Sequence, residues 1–269
     1  MFSTSRIHDP RRASLVDSNE RKMMEETRRS FDKELNDVQQ ELVRISIGVA
    51  ESIPKCTNVL IERDLSTAEA MILADDDVDA RIIDLEDRCI QMLALQAPVA
   101  GELRQVIAAL KICAEIERSA DLVVNICKAA RRIYGHEFDP NLRELVLKMS
   151  DQARHLFSEA ASAYRDADAS RAAAIDDMDA FLDDLQRQFI QAIFESHAGG
   201  NIDLQVAIQL AVVARFYERI GDHAVNMGEK VRFQVTGWLP EQSGAARHLE
   251  RATQGSTTVG EVGSLKENR

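Results

Sequence analysis

The chain has 269 residues and carries 45 Asp and Glu against 33 Lys and Arg, a formal net charge of −12. That balance argues against a nucleic-acid backbone or an anionic bilayer as the main partner, because both require a basic footprint, and it suits cations or basic protein surfaces better. Apolar residues make up 45% of the chain but aromatics only 5%, and there are five prolines, so helices packed by aliphatic side chains are favoured over sheets and the fold is read as all-α.

Residues 1–27 are rich in Arg, Ser, Asp and Glu with no sustained apolar period, which predicts a mobile arm. From Arg28 the pattern becomes helical. Leu35, Val38, Leu42, Ile45, Val49 and Ile53 recur at spacings of three and four and mark a core-facing stripe. Pro54 interrupts it, predicting a kink before the helix continues to Arg63. Asp64-Leu-Ser-Thr offers a turn and capping residues for a second helix ending near Leu95, and Pro98 with Glu102 suits the start of a third, ending near Tyr134-Gly135. Asp139-Pro140 opens a fourth helix to Asp166, Asp168-Ala-Ser opens a fifth, and His197-Ala-Gly-Gly-Asn separates it from a sixth that runs from Ile202 to Thr236. Gly237 is its natural stop, and the Ser-, Thr- and Gly-rich segment 239–269 reads as a disordered tail.

Four cysteines, Cys56, Cys89, Cys113 and Cys127, show no C-x-x-C spacing and sit among apolar helical residues. They are expected in the core of a protein kept in a reducing compartment. No signal-peptide-like stretch and no run of about 18 apolar residues is present, so a cytoplasmic location without membrane insertion is expected.

The six helices form two triplets whose details correspond. Asp64, Ala68, Met71, Asp75, Val78 and Asp79 match Asp168, Ala172, Ile175, Asp179, Leu182 and Asp183 with identical internal spacing. The last helix of each triplet carries Glu-Arg-x-x-Asp-x-x-x-Asn, at Glu117, Asp121 and Asn125 and again at Glu218, Asp222 and Asn226. A duplicated three-helix unit follows, spanning residues 28–135 and 138–238, with the halves related by a pseudo-twofold axis.

Glu218, Asp222, Asn226 and Glu229 fall within roughly 80° of one helical stripe and make a column of oxygen groups. Lys128 replaces the fourth member in the first half. Stacked carboxylates at i and i+4 weaken a helix unless solvent or a bound cation compensates; a solvated acidic face is the plainer alternative. An antiparallel turn near Ala97 places Glu117 and Asp121 level with Asp79 and Asp75. A turn at Gly199-Gly200 does the same for Glu218 and Asp222 with Asp183 and Asp179. Carboxylate and amide oxygens favour Mg, Mn or Fe over a structural zinc site. The Glu-x-x-His pairs of di-iron oxidases are absent, as are nucleotide-binding glycine loops.

The segments LALQAPVAGELR (Leu93 to Arg104), IERSADLVVNI and FYERIGDHAVNMGEKVRFQVTG resemble the PhoU family of bacterial phosphate-uptake regulators, over roughly residues 30–238. The resemblance implies two three-helix bundles acting at the cytoplasmic side of a phosphate ABC transporter, on its ATPase and permease. It also implies signalling to a phosphate-sensing histidine kinase, and homodimerisation. It further implies multinuclear iron or zinc bound by the paired Glu-x-x-x-Asp motifs, here Glu117, Asp121, Glu218 and Asp222. Lys128 departs from the family pattern and is expected to weaken the first site. The alternatives are a helical adaptor for another transporter or stress response, and a metal-dependent hydrolase or oxidase built on the same carboxylates.

Overall fold

A computed structural model describes residues 10–238, and the described residues are almost wholly helical. α1 spans Pro10–Glu62, α2 Leu65–Leu73, α3 Asp75–Gln96, α4 Ala100–Arg132, α5 Pro140–Asp166, α6 Ala169–Ala198 and α7 Leu204–Thr236. Helices α1, α4, α5 and α7 pack together at the centre, with α2 and α3 flanking α4 and α6 flanking α7. The two expected three-helix units are therefore joined by contacts of α1 with α5 and of α4 with α7.

Most helix starts obey the capping chemistry written in the sequence. Asp64 accepts from the backbone N–H groups of Ser66 and Thr67, both at 3.1 Å. Asp168 does the same for Ser170 and Arg171 at 3.0 Å, and Asp139 and Asp203 cap α5 and α7. Gly237 ends α7 in the left-handed region, with φ 76°. The duplication extends to backbone detail: Arg63 and Ala167 hold matched helix ends with φ 61° and 48°.

Two expectations change. α1 begins at Pro10 rather than near Arg28, so residues 10–27 of the expected arm continue the first helix; residues 1–9 and the expected tail from 239 lie outside the described residues. The second helix is two pieces, broken at Ala74, and the break falls just before Asp75, Asp76 and Asp77. Aspartates are poor within a helix and favourable in its first turn, so three in succession start a new helix more readily than they continue an old one. α6 carries only Asp176, Asp177 and Asp179 around the equivalent point and remains continuous.

The core is aliphatic. Val38, Leu42, Ile45, Val49 and Ile53 of the α1 stripe are buried, Leu35 packs against them, and the helix runs through Pro54. All four cysteines are free thiols in this core. At its centre Thr57 Oγ1 lies 2.7 Å from both Ser150 Oγ and Tyr217 Oη, which joins α1, α5 and α7 through one buried hydroxyl cluster.

Two acidic clusters, a candidate cation-binding surface

Each bundle brings together carboxylates from its second and third helices. In the first, burial together with Asp79 and Asp121 pushes the Asp75 carboxyl up to about 6, while Lys128 works in the opposite direction. Burial, Asp121 and Asp76 raise Asp79, and burial, Asp121 and Asp79 raise Glu117. These mutual effects locate Asp75, Asp79, Glu117 and Asp121 in one neighbourhood, as the antiparallel turn at Ala97 predicts. In the second bundle burial, then Asp183, Asp222 and Asp176, push Asp179 up to about 6.

The second cluster is the more tightly built. Gly221 lets α6 lie so close to α7 that a Cβ there would meet Asp179 Oδ1 at 2.3 Å and Leu182 at 2.7 Å. Asp179 is thereby pressed against the α7 backbone, and its Oδ1 is buried with no hydrogen-bond partner. Glu218 gives one oxygen to Arg215, and its Oε2 is likewise buried and unpartnered. An unsatisfied buried carboxylate oxygen is costly, and a proton or a cation is the kind of partner that satisfies it. The donor set is all oxygen and fits a hard cation. Among the described residues no three His, Cys, Asp or Glu side chains converge on one point in their present conformations.

The far end of the expected column has other work. Asn226 donates to Glu115 Oε2 at 3.2 Å, and His223 Nδ1 lies 2.7 Å from the same oxygen. A carboxylate only accepts, so that nitrogen carries the proton. Burial alone would push Glu115 up, but the His223 and Asn226 bonds hold it below its ordinary value. Asn226 is therefore part of the seam between α4 and α7 and not a member of the acidic cluster. Glu229 lies 3.5 Å from Lys230 Nζ, about three helical turns from Glu218. Asn125 is half-buried on α4, and Asp183 belongs to the second cluster. The sequence signals the seam only where the repeats differ: Glu115 stands where the second repeat has Phe216, and His223 where the first has Leu122.

A sequence profile of the PhoU domain matches residues 42–130 and 146–231, one match per bundle. The chain belongs to the PhoU family. Among its relatives, phosphate-specific transport system accessory protein PhoU homolog 1 of Mycobacterium tuberculosis is 34% identical over 196 residues, covering 72% of this chain and 87% of that protein. A PhoU homolog of Caulobacter vibrioides is 30% identical over 218 residues, 80% of this chain and 94% of the relative. Crystal structures of PhoU from Pseudomonas aeruginosa and of the PhoU regulatory protein from Streptococcus pneumoniae superpose with TM-scores of 0.72 and 0.71 at 25% and 24% identity. They cover 77% and 78% of this chain and 100% and 98% of their own. The PhoU profile thus spans both acidic clusters, while the start of α1 and the segment from 239 lie beyond its matches.

Proposed function

We propose that this PhoU-family chain is a non-catalytic accessory regulator of phosphate uptake. It would restrain a phosphate ABC transporter when phosphate is plentiful and pass that state to a phosphate-sensing histidine kinase, as a homodimer at the cytoplasmic membrane face. The observation that carries the reading is the match of both bundles to PhoU, together with near full-length similarity to relatives described as accessory proteins of phosphate-specific transport. Among the described residues no helix is long and apolar enough to cross a membrane, so contact with a transporter would be made from its surface.

In this reading the acidic clusters hold Fe, Mn, Mg or Zn. Glu218, Asp222, Asp179 and Asp183 would hold the ions of the second bundle, and Glu117, Asp121, Asp75 and Asp79 those of the first. Bound cations would turn two repulsive acidic patches into docking surfaces able to accept anionic groups. The chain's own contribution is to fix the carboxylates on rigid helices, and Gly221 does this by holding α6 against α7.

Deletion of the gene, with starvation-gene output followed in phosphate-rich medium, tests the regulatory role. Derepressed output is expected, and repression unchanged from the parent would overturn the reading.

A further inference from the structure

The two bundles differ in one respect that the PhoU role does not use. The first encloses an open cavity of about 280 Å³ between α1, the α2–α3 break and α4, lined by Ile45, Gly48, Ser52, Met71, Ala74 and Val78 among others. Glu62, Arg63 and Asp64 correspond to Asp166, Ala167 and Asp168 as helix end, left-handed residue and cap, which fixes the register of α1 on α5. In that register Gly48, Ser52, Ala74 and Val78 stand where the second bundle has Gln152, Leu156, Met178 and Leu182. Every one of the four is smaller. In the second bundle Leu156 and Leu182 are fully buried, and Gln152 bridges to the Met178 carbonyl at 2.9 Å. In the first, Gly48 and Ala74 are exposed at the mouth of the cavity, and a Cβ added at Gly48 meets nothing within 4 Å.

The rim also changes character. Arg81 replaces Leu185, Lys55 replaces Glu159, and Arg44 stands beside Arg81. Arg81 donates to Glu41 Oε1 from Nε at 2.9 Å and Nη2 at 2.6 Å, and Arg44 donates to the other oxygen of Glu41. Two guanidiniums share one carboxylate, and both also line an adjoining polar cleft of about 520 Å³ with Arg88 and the acidic Asp37, Glu41 and Asp84. Lys55 is exposed on the rim. The acidic group on the cavity wall is Asp75, six residues back along α3 from Arg81, about 9 Å.

We propose that this cavity binds a small amphipathic anion, an acyl chain or ring bearing one carboxylate, with its apolar part entering between Gly48 and Ala74 to rest on the buried Ile45, Val49 and Val123 and its carboxylate at Arg44 and Arg81. The volume lies just under the roughly 300–1,000 Å³ typical of small-molecule clefts. An apolar floor with a few charged groups at one end is the arrangement such ligands require. The site shares one wall residue, Asp75, with the first acidic cluster, and differs from it in taking an anion at Arg44 and Arg81 rather than a cation.

Calorimetric titration of the full chain with decanoate, below its micellar concentration, tests the proposal. Saturable one-site binding is expected. Gly48→Gln/Ala74→Met, which installs the residues the second bundle uses, should abolish it with the thermal midpoint unchanged or raised. Val78→Leu, a smaller change that keeps the fold, should weaken it. Arg44→Gln/Arg81→Leu should weaken decanoate about tenfold, the weight of one charge-assisted hydrogen bond, and leave decan-1-ol unaffected. The proposal is overturned if the parent shows no saturable binding, if Val78→Leu binds as tightly as the parent, or if decan-1-ol binds as tightly as decanoate.

Discussion

Asp179 concentrates the chemistry of the second bundle in one side chain. Burial and three neighbouring aspartates hold its carboxyl near 6, above the ordinary 3.8 it regains on unfolding, so the folded state binds the proton more tightly. Its stabilising effect is then complete below about pH 4 and lost as pH rises through about 6. Asp75 behaves alike for the same reasons, and Asp79 and Glu117 shift in the same direction. Urea denaturation of metal-free protein should therefore give a higher midpoint at pH 5.5 than at pH 7.5, and Asp179→Asn should flatten that slope. A midpoint that falls on acidification over this interval, or a slope untouched by the substitution, would contradict the account. Glu115 has the opposite sign, since its carboxyl is held below the ordinary value by His223 and Asn226; its contribution is lost only at lower pH. Replacing Glu115 by Leu leaves His223 Nδ1 and the Asn226 amide without their partner, at a cost of about 1–3 kcal/mol, read as a fall in urea midpoint at pH 7.5.

At the scale of helices, α6 and α7 approach through glycine. A Cβ at Gly228 would stand 2.8 Å from the backbone oxygen of Ala172 and 3.2 Å from Ile175. The backbone of α6 cannot yield as a side chain can, so Gly228→Ala should cost about 1–3 kcal/mol. The obstacle at Gly221 is the ends of Asp179 and Leu182, which can rotate, so Gly221→Ala should cost less in stability while displacing Asp179. Chemical denaturation of the pair measures both, and equal or reversed costs would show that the α6 backbone is free to move. This packing was not legible in the sequence, because a glycine within a helical pattern does not say which neighbour approaches it. What was legible is local: the Asp64, Asp139 and Asp168 caps, the α1 stripe and the Gly237 stop all follow from side-chain and backbone chemistry within a few residues. The start of α1 is not legible, because residues 10–27 are helical with polar composition and no apolar stripe to mark the period. The break at Ala74 was missed because the apolar period continues across it and only the run of aspartates signals a new N-terminus.

For the molecule as a whole, the repeated motif and the turns place Asp75, Asp79, Glu117 and Asp121, and likewise Asp179, Asp183 and Asp222, in common neighbourhoods, since an antiparallel pair of helices with a known turn leaves little freedom along the axis. Rotation about the axis was not fixed, and that is why Asn226 could be placed on the acidic column when it bonds across the α4–α7 seam. The same duplication hides the differences that matter between the halves. In the first cluster Lys128 partly offsets the upward push on the Asp75 carboxyl and supplies an ammonium where the second repeat has Glu229. In the second, Asp179 Oδ1 and Glu218 Oε2 are both buried and unpartnered, so two oxygens are already removed from water. A cation entering the second cluster would displace less water and compete with the Arg215 guanidinium on Glu218 rather than with an ammonium in the column itself, and it should be held more tightly than one entering the first. Elemental analysis of protein purified without chelator or affinity metal, then refilled with Fe, Mn or Mg, measures this directly. Glu218→Ala/Asp222→Ala should lose most of the bound metal, and Glu117→Ala/Asp121→Ala a smaller share. Equal losses would remove Lys128 and the orphaned oxygens as the source of asymmetry. Metal-free parent protein after refilling would mean that both clusters act as acidic docking surfaces, with regulation carried by protein contacts alone.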